Sequence, residues 1–433
     1  MTKITKKSKL IIYACSGLGV NMLNLIVGSY LCSALLVGGF ETNAENWTYL
    51  NRDLVVAGIW AVLVLAAKII DGVIDIPFSH FTDNLRSKWG KRKTAILIGF
   101  IPMIVSYLLF LIPLESKAGI LNTLWFALLL FVFYAFYTLT MLTFYSTFAE
   151  ITENQQDIVL LSNVKSICDV IYFSLGFALV PAFVSMGVNI RLVAIMFLPL
   201  ALTMLIPIFM LKEKAETTVK KQRNTFKESF LFTVKDKHFL FWLCIVFVMN
   251  TGLQLFLSGI NEYFSTAGLN MTFVMASCFV PVPFTIILYN KIIKMRGLGF
   301  AFRYILAVYS VGMALMGLCN VLSEKYLYPF AIACSIIVSF SIGAFFSVTY
   351  TVPSQRAALR NTDNETASSM YFAIQGLFEG ASAGFASGVL LVFLKQSGNV
   401  KYMTLIVALF CMAAFVLTFF LPKEITKIGK EKK

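Results

Sequence analysis

Two acidic residues inside an apolar stretch are the residues best suited to chemistry in this sequence. Asp71 and Asp75 lie four positions apart, after a mostly apolar run that covers residues 54–67. On a helix they share one face and are separated by about 6 Å along the axis. A charge at the centre of a membrane helix costs roughly 2.5–3.5 kcal/mol on insertion scales. The pattern therefore predicts compensation by a bound cation, by a proton or by the basic residue Lys68.

Other ionisable residues also lie in apolar segments, and such residues are functional candidates by default. Lys165 and Asp169 are four positions apart, so they could neutralise each other or contact a solute in a wet cavity. Glu379 lies in the small-residue segment GLFEGASAGFASG, where it could complete a binding site or accept a hydrogen bond. Glu262 lies near a predicted helix end, and we expect it to be solvated.

Amide and phenol groups accompany these charges. Asn250 and Gln254 share a helix face, and hydroxyl and amide side chains suit a sugar, which offers many hydroxyls and no charge. Tyr145 could stack on a sugar ring. The predicted solute-binding residues are Asn21, Lys68, Tyr145, Lys165, Asp169, Asn250, Gln254 and Glu379.

Composition indicates the class of protein. The chain has 433 residues, of which 58% are hydrophobic and 13% are charged, and its mean hydropathy is +0.80. An apolar surface of this size suits a protein embedded in a bilayer. The net charge of +14 is concentrated in short loops and at the two ends, which argues against nucleic-acid binding. The eight cysteines lie in apolar segments without a CxxC motif, so no metal site or cofactor is expected.

Windows of about 20 apolar residues predict an all-α membrane protein with twelve spanning helices. Basic residues cluster in alternate loops, which predicts a cell membrane location with both termini cytoplasmic. The polar segment 212–237 is a predicted cytoplasmic linker between two six-helix bundles, residues 1–211 and 238–421, and residues 422–433 form a basic tail. The predicted spans lie near 10–37, 54–82, 94–114, 121–149, 158–186, 190–211, 238–264, 270–293, 299–320, 327–352, 367–394 and 401–421.

The stretch AKIIDGVIDIPFSHFTDNLRSKWGKRKTAILIG resembles the signature of the glycoside–pentoside–hexuronide:cation symporters, a family of major-facilitator carriers that includes melibiose permease. The resemblance implies that Asp71 and Asp75 bind the coupling Na+ or H+ and that Thr138 assists them. It also implies a cytoplasmic gate, which would comprise Asp83, Arg86, Lys88, Lys91 and Arg92.

The sequence departs from that family at its sugar site. Asn21 and Met141 stand where the family carries acids, Tyr145 replaces a tryptophan and Lys165 replaces an arginine. A lysine position of the family falls at or near Glu379. A galactoside is therefore not the expected substrate.

The predicted function is cation-coupled symport of a sugar or related small solute by alternating access. The alternative is a major-facilitator carrier for another cargo, such as a lysolipid, a drug or an organic ion. The sequence contains no HExxH motif and no glycine-rich phosphate loop, so an enzyme is not expected. The predicted partners are the small solute, which is a sugar in the favoured interpretation, and the membrane lipids, and the sequence does not tell which proteins bind the chain.

Overall fold

The computed structural model of the chain describes residues 4, 6–85, 87–152, 155–211, 213, 231, 233–269, 271–360 and 365–427. Within these residues the secondary structure is helical and contains no strand. A helix satisfies every backbone hydrogen bond within its own segment, which a lipid environment demands. The apolar sequence windows therefore become helices.

The chain divides into two compact units. One comprises Met1–Val37 and Asn43–Lys220, and the other comprises Gly38–Thr42 and Lys221–Lys433. The predicted linker 212–237 lies largely outside the described residues, so the predicted bundle boundaries stay predictions.

The first unit contains nine α-helices in its described part, which we number in chain order. A π-helical segment, Val27–Leu31, continues the helix Leu18–Ile26 towards the end of the first span. The helices are α1 Lys7–Cys15, α2 Leu18–Ile26, α3 Ala44–Trp47, α4 Ala57–Asn84, α5 Lys91–Phe110, α6 Ile120–Ile151, α7 Gln155–Ser185, α8 Ile190–Ala201 and α9 Ile206–Met210.

The second unit also contains nine α-helices among its described residues. A second π-helical segment, Phe385–Leu390, joins the helix Glu365–Gly384 to the helix Leu391–Gln396. The helices are α10 Lys237–Thr266, α11 Met271–Phe279, α12 Val282–Arg296, α13 Leu298–Met316, α14 Glu324–Arg360, α15 Glu365–Gly384, α16 Leu391–Gln396, α17 Met403–Leu417 and α18 Lys423–Thr426.

The prediction of twelve spans is confirmed. In the described part of the chain, twelve helical stretches are long and apolar enough to cross a membrane, with mean hydropathies of 1.7 to 2.5. Their bounds are Lys7–Leu35, Ala57–Ile74, Lys91–Phe110, Ile120–Phe148, Ile167–Ser185, Ile190–Met210, Lys237–Thr266, Thr272–Arg296, Leu298–Val321, Lys325–Phe345, Ile374–Gln396 and Val400–Phe420.

Helix packing within each unit positions the polar side chains. In the first unit, α6 packs against α4 and α5, while α2 packs against α7 and α8. A Cβ on Gly19 would overlap the Leu200 carbonyl, so glycine permits the close approach of α2 to α8. In the second unit, α10 packs against α15 and α17. Polar groups on α2, α4, α6 and α7 can therefore meet in the first unit, and those on α10 and α15 can meet in the second.

Candidate functional site

The two predicted cation-site residues whose side chains the structure describes are in contact. Thr138 on α6 donates a hydrogen bond of 2.7 Å from its Oγ1 to Oδ1 of Asp71 on α4. Thr138 is buried and Asp71 is half-buried. Asp75 lies one turn further along α4, but its side chain lies outside the described residues. The Asp71 carboxylate therefore has one hydroxyl donor and retains capacity for a cation or proton.

Lys68 has an aromatic partner rather than a described ion pair with Asp71. Its ammonium Nζ lies 3.7 Å from the centroid of the Tyr134 ring on α6. This geometry is a cation–π contact, and such contacts are stronger when they are desolvated. The lysine is thus held beside the Asp71 site while the carboxylate contacts Thr138.

A second group of side chains forms one connected network, which we call the Asn21 cluster and define as Asn21, Tyr137, Tyr145, Lys165 and Asp169. The Tyr137 hydroxyl donates to Asn21 Oδ1 at 3.0 Å. Asn21 Nδ2 donates to the Tyr145 hydroxyl and to Asp169 Oδ1, each at 3.3 Å. An ionised carboxylate can only accept, so the amide nitrogen must face Asp169 and the amide oxygen must face Tyr137.

An ion pair completes the Asn21 cluster. Lys165 Nζ lies 2.5 Å from Asp169 Oδ2, one helical turn away on α7, and the two side chains are 24% and 25% exposed. The ammonium also lies 5.2 Å from the centroid of the Tyr145 ring. The cluster thus presents an amide, two phenols, a carboxylate and an ammonium, which together can donate and accept several hydrogen bonds. Because the pair is partly open, a solute could exchange contacts with it.

The structure brings four predicted solute-binding residues together in this cluster, namely Asn21, Tyr145, Lys165 and Asp169. Tyr137 is a member that the sequence analysis missed. Its position one residue before Thr138 on α6 was the available signal.

In the second unit, the predicted residues Asn250 and Glu379 are also neighbours. Asn250 Nδ2 donates to the Glu379 main-chain carbonyl at 3.0 Å and to Ser382 Oγ at 2.7 Å. The Glu379 carboxylate accepts from Gln375 Nε2 at 2.8 Å through Oε1. Gln254 lies one turn after Asn250 on α10 and is half-buried.

The predicted cytoplasmic gate is described in part. The side chains of Asp83 and Arg86 lie outside the described residues, whereas Lys88 is exposed and Lys91 is half-buried. Arg92 is buried, and its Nη1 lies 3.5 Å from Thr82 Oγ1 on the preceding helix. The gate role of these residues stays a prediction.

Glu213, which the sequence analysis missed, caps the N-terminus of α5, the helix that follows the loop between the second and third spans. Both carboxylate oxygens of Glu213 accept from the backbone N–H of Arg92, at 3.2 and 3.1 Å. The position suits an acid, because the first turn of a helix carries free N–H groups and a partial positive charge. Gly90 has a φ of +102°, and a Cβ there would collide with the Glu213 side chain. The chain after the sixth span is thereby fixed to the loop between the second and third spans.

The expectation of a solvated Glu262 is wrong. Its side chain is 0% exposed and its Oε1 lies 2.9 Å from Lys395 Nζ, whose side chain is 2% exposed. The helix end is not open to water, because Gly38–Thr42 packs over it within the second unit. This buried ion pair, which we call the sealed pair and define as Glu262 and Lys395, stabilises the fold.

Twelve spans in two units, with polar clusters inside the spanning helices, are the features expected of a multi-pass membrane transporter. A family model described as MFS/sugar transport protein matches residues 12–422, and the chain belongs to that family. It is therefore a secondary transporter and not an enzyme. No curated protein sequence matches the chain at a significant level.

Solved structures share the fold. The nucleoside transporter NupG has a TM-score of 0.64 at 13% identity, over 96% of this chain and 98% of that chain. A bacterial homologue of the human lysosomal transporter Spinster, inward-facing and unoccupied, has a TM-score of 0.61 at 14% identity, over 98% of both chains. The Escherichia coli fucose:proton symporter FucP has a TM-score of 0.52 at 15% identity, over 98% of this chain and 100% of that chain. At these identities the likeness establishes the fold alone.

Proposed function

We propose that this protein is a cation-coupled symporter of a sugar or a related hydroxyl-rich solute, close in kind to the glycoside–pentoside–hexuronide:cation symporters. The hydrogen bond from Thr138 to Asp71 carries the proposal, because it joins two residues to which the resemblance assigns the coupling cation. The coupling ion is Na+ or H+. Both termini are cytoplasmic in this proposal, and the location is the cell membrane.

The connection between cation and solute runs through consecutive residues of α6. Thr138 contacts Asp71, and Tyr137 contacts Asn21 in the Asn21 cluster. A cation that neutralises Asp71 occupies carboxylate lone pairs that Thr138 does not use. It thereby changes the strength of the hydrogen bond that the Thr138 hydroxyl donates to this carboxylate. A small adjustment of α6 there moves Tyr137, and with it the orientation of the Asn21 amide. Cation binding thereby prepares the solute site.

The chemistry of the Asn21 cluster supports a hydroxyl-rich solute. A sugar hydroxyl both donates and accepts, so it can bind the amide, the phenols and the charged pair at once. The family description includes sugar transport, and FucP and NupG are named for fucose and nucleoside substrates. Both of those substrate classes carry several hydroxyls on a five- or six-membered ring.

The test is uptake by proteoliposomes that contain the purified protein. A panel of labelled monosaccharides, glycosides and nucleosides is offered under an imposed Na+ gradient and then under an imposed H+ gradient. At least one of these solutes should accumulate above its external concentration under one gradient. Uptake of a lysolipid or an organic ion in place of every panel member would overturn the assignment. Solute uptake that is the same with and without each gradient would overturn it as well.

A further inference from the structure

One carboxyl in the second unit lacks the charged partner that the other described acids of the spans have nearby. The acids within the twelve spans are Asp71, Asp169, Glu262 and Glu379. Asp169 is paired with Lys165, and Glu262 is paired with Lys395. Asp71 has Lys68 one turn earlier on α4. The described side-chain partner of Glu379 is an amide, Gln375.

The hydrogen bonds around Glu379 have a fixed direction. The indole Nε1–H of Trp242 can only donate, and it lies 3.0 Å from Gln375 Oε1. The amide nitrogen of Gln375 must therefore face Glu379, and it donates to Oε1 at 2.8 Å. Oε1 of Glu379 is thus an acceptor, and the other oxygen, Oε2, is the one available to carry a proton.

The backbone of Glu379 is braced as well. Its carbonyl accepts from Asn250 Nδ2 at 3.0 Å and from Ser382 Oγ at 2.8 Å. Asn250 also donates to Ser382 Oγ at 2.7 Å, which closes a ring of three contacts between α10 and α15. The carboxyl therefore occupies a defined position against α10, held by neutral groups.

On α10, the described charged groups lie far along the axis from Asn250, the residue that contacts Glu379. On α10, His238 and Glu262 are each 12 residues from Asn250, which corresponds to about 18 Å. His238 pairs with Glu424 at 3.5 Å, and Lys237 begins the helix. Asp236, at the N-cap of α10, accepts from Tyr371 Oη at 3.1 Å.

On α14, Lys325 lies in the first turn, and the side chains of Glu324, Arg356 and Arg360 lie outside the described part of the chain.

We propose that Glu379 reversibly binds a proton and is a second coupling site, separate from Asp71. A carboxylate at membrane depth with one amide donor is costly when ionised, whereas the protonated form keeps the Gln375 hydrogen bond and loses the charge. Glu379 is half-buried, so its side chain is not fully enclosed by protein. The coupling part of this proposal rests on the proposed function, while proton binding by Glu379 does not.

Infrared difference spectroscopy of the purified protein in lipid tests proton binding without a substrate. A pH step should produce a protonated-carboxyl C=O band that is lost in Glu379→Gln and kept in Glu424→Gln, an exposed acid of the same unit. An identical band in Glu379→Gln and the unmodified protein would overturn the proposal. Glutamine matches the size of glutamate, and size-exclusion chromatography checks that the variant folds.

Tryptophan fluorescence gives a second readout that does not depend on that variant. Trp242 is the sole tryptophan of residues 221–433, and it contacts the Glu379 carboxyl through Gln375. The difference in fluorescence between the unmodified protein and Trp242→Phe should change over the pH range in which the infrared band titrates. A difference that is constant with pH would contradict the proposed proton binding.

Transport separates this inference from the proposed function. In proteoliposomes, Glu379→Gln should lose the dependence of solute accumulation on an imposed H+ gradient. Retained accumulation together with a lost infrared band would leave Glu379 a proton site and overturn its coupling role. If the unmodified protein accumulates nothing under either gradient, the proposed function fails while the infrared result stands.

Discussion

Each unit contains an ion pair between a lysine and an acid, and the two pairs differ in the exposure of their side chains. Lys165 and Asp169 are one turn apart on α7, with side chains 24% and 25% exposed. Lys395 and Glu262 come from helices far apart in sequence, with side chains 2% and 0% exposed. The Lys165–Asp169 pair, which is partly exposed, can therefore exchange its contacts for contacts with a solute. The Lys395–Glu262 pair is buried and can only stabilise the fold.

The sealed pair is closed by a short segment of the second unit, Gly38–Thr42. The Phe40 ring centroid lies 4.8 Å from the Lys395 ammonium. The backbone N–H groups of Glu41 and Thr42 donate to Ser265 Oγ, each at 3.0 Å. Gly39 has a φ of +89°, and a Cβ there would lie 3.0 Å from Glu262 Cβ. A glycine is therefore required for this close approach.

The largest effect is expected from Lys395→Met. This change leaves the Glu262 carboxylate buried without its cation, and breaking a buried pair in this way costs roughly 3–5 kcal/mol. The unfolding temperature in detergent should fall by many degrees. The double variant Glu262→Gln/Lys395→Met should recover most of the loss.

Lys401→Met is the matched control, because that lysine is exposed and its ammonium lies 5.1 Å from the centroid of the Tyr402 ring. It should leave the unfolding temperature nearly unchanged. If Lys395→Met is as stable as the unmodified protein, the sealed pair does not hold the fold.

A smaller effect, on affinity rather than on stability, is expected from Asp169→Asn. Hydrogen bonds to charged groups contribute about 1.5–3 kcal/mol, so solute affinity should fall about tenfold to a hundredfold. The measurement is the solute concentration that gives half-maximal exchange. Glu45→Gln, an exposed acid of the same unit, should change neither property. An unchanged affinity together with a large loss of stability would show that the Lys165–Asp169 pair also has a structural role.

The smallest effect is expected from Thr138→Val. The change removes one donor to Asp71 and keeps the shape, so the cation concentration for half-maximal transport should rise about fivefold, or about 1 kcal/mol. Thr143→Val on the same helix is the control, because Thr143 Oγ1 donates to its own helix at Leu139 O, 2.7 Å away. Equal effects of the two changes would remove Thr138 from the cation site.

The sequence predicts the spans and several site residues for simple reasons. A span needs about 20 apolar residues, so the hydropathy pattern alone gives twelve. Charged and amide residues within these spans stand out, and Asn21, Lys165 and Asp169 do meet in one network. Thr138 was expected beside Asp71 from the family resemblance, because spacing within one helix does not show which helix faces another.

Contacts between distant segments explain what the sequence could not predict. Glu262 looked solvated because its position near a helix end is visible in the sequence, whereas the cover by Gly38–Thr42 is not. Its partner Lys395 lies 133 residues further along the chain. Glu213 looked like part of a polar linker, and its capping of α5 depends on the chain returning to that helix.

The accumulation ratio of the best substrate of the uptake panel tests the central claim most directly. The unmodified protein should accumulate the solute inside proteoliposomes under the favoured gradient and fall to equilibrium when an ionophore dissipates that gradient. Asp71→Asn should reach only equilibrium from the start while still exchanging solute. Accumulation by Asp71→Asn equal to that of the unmodified protein would contradict a coupling cation at Asp71.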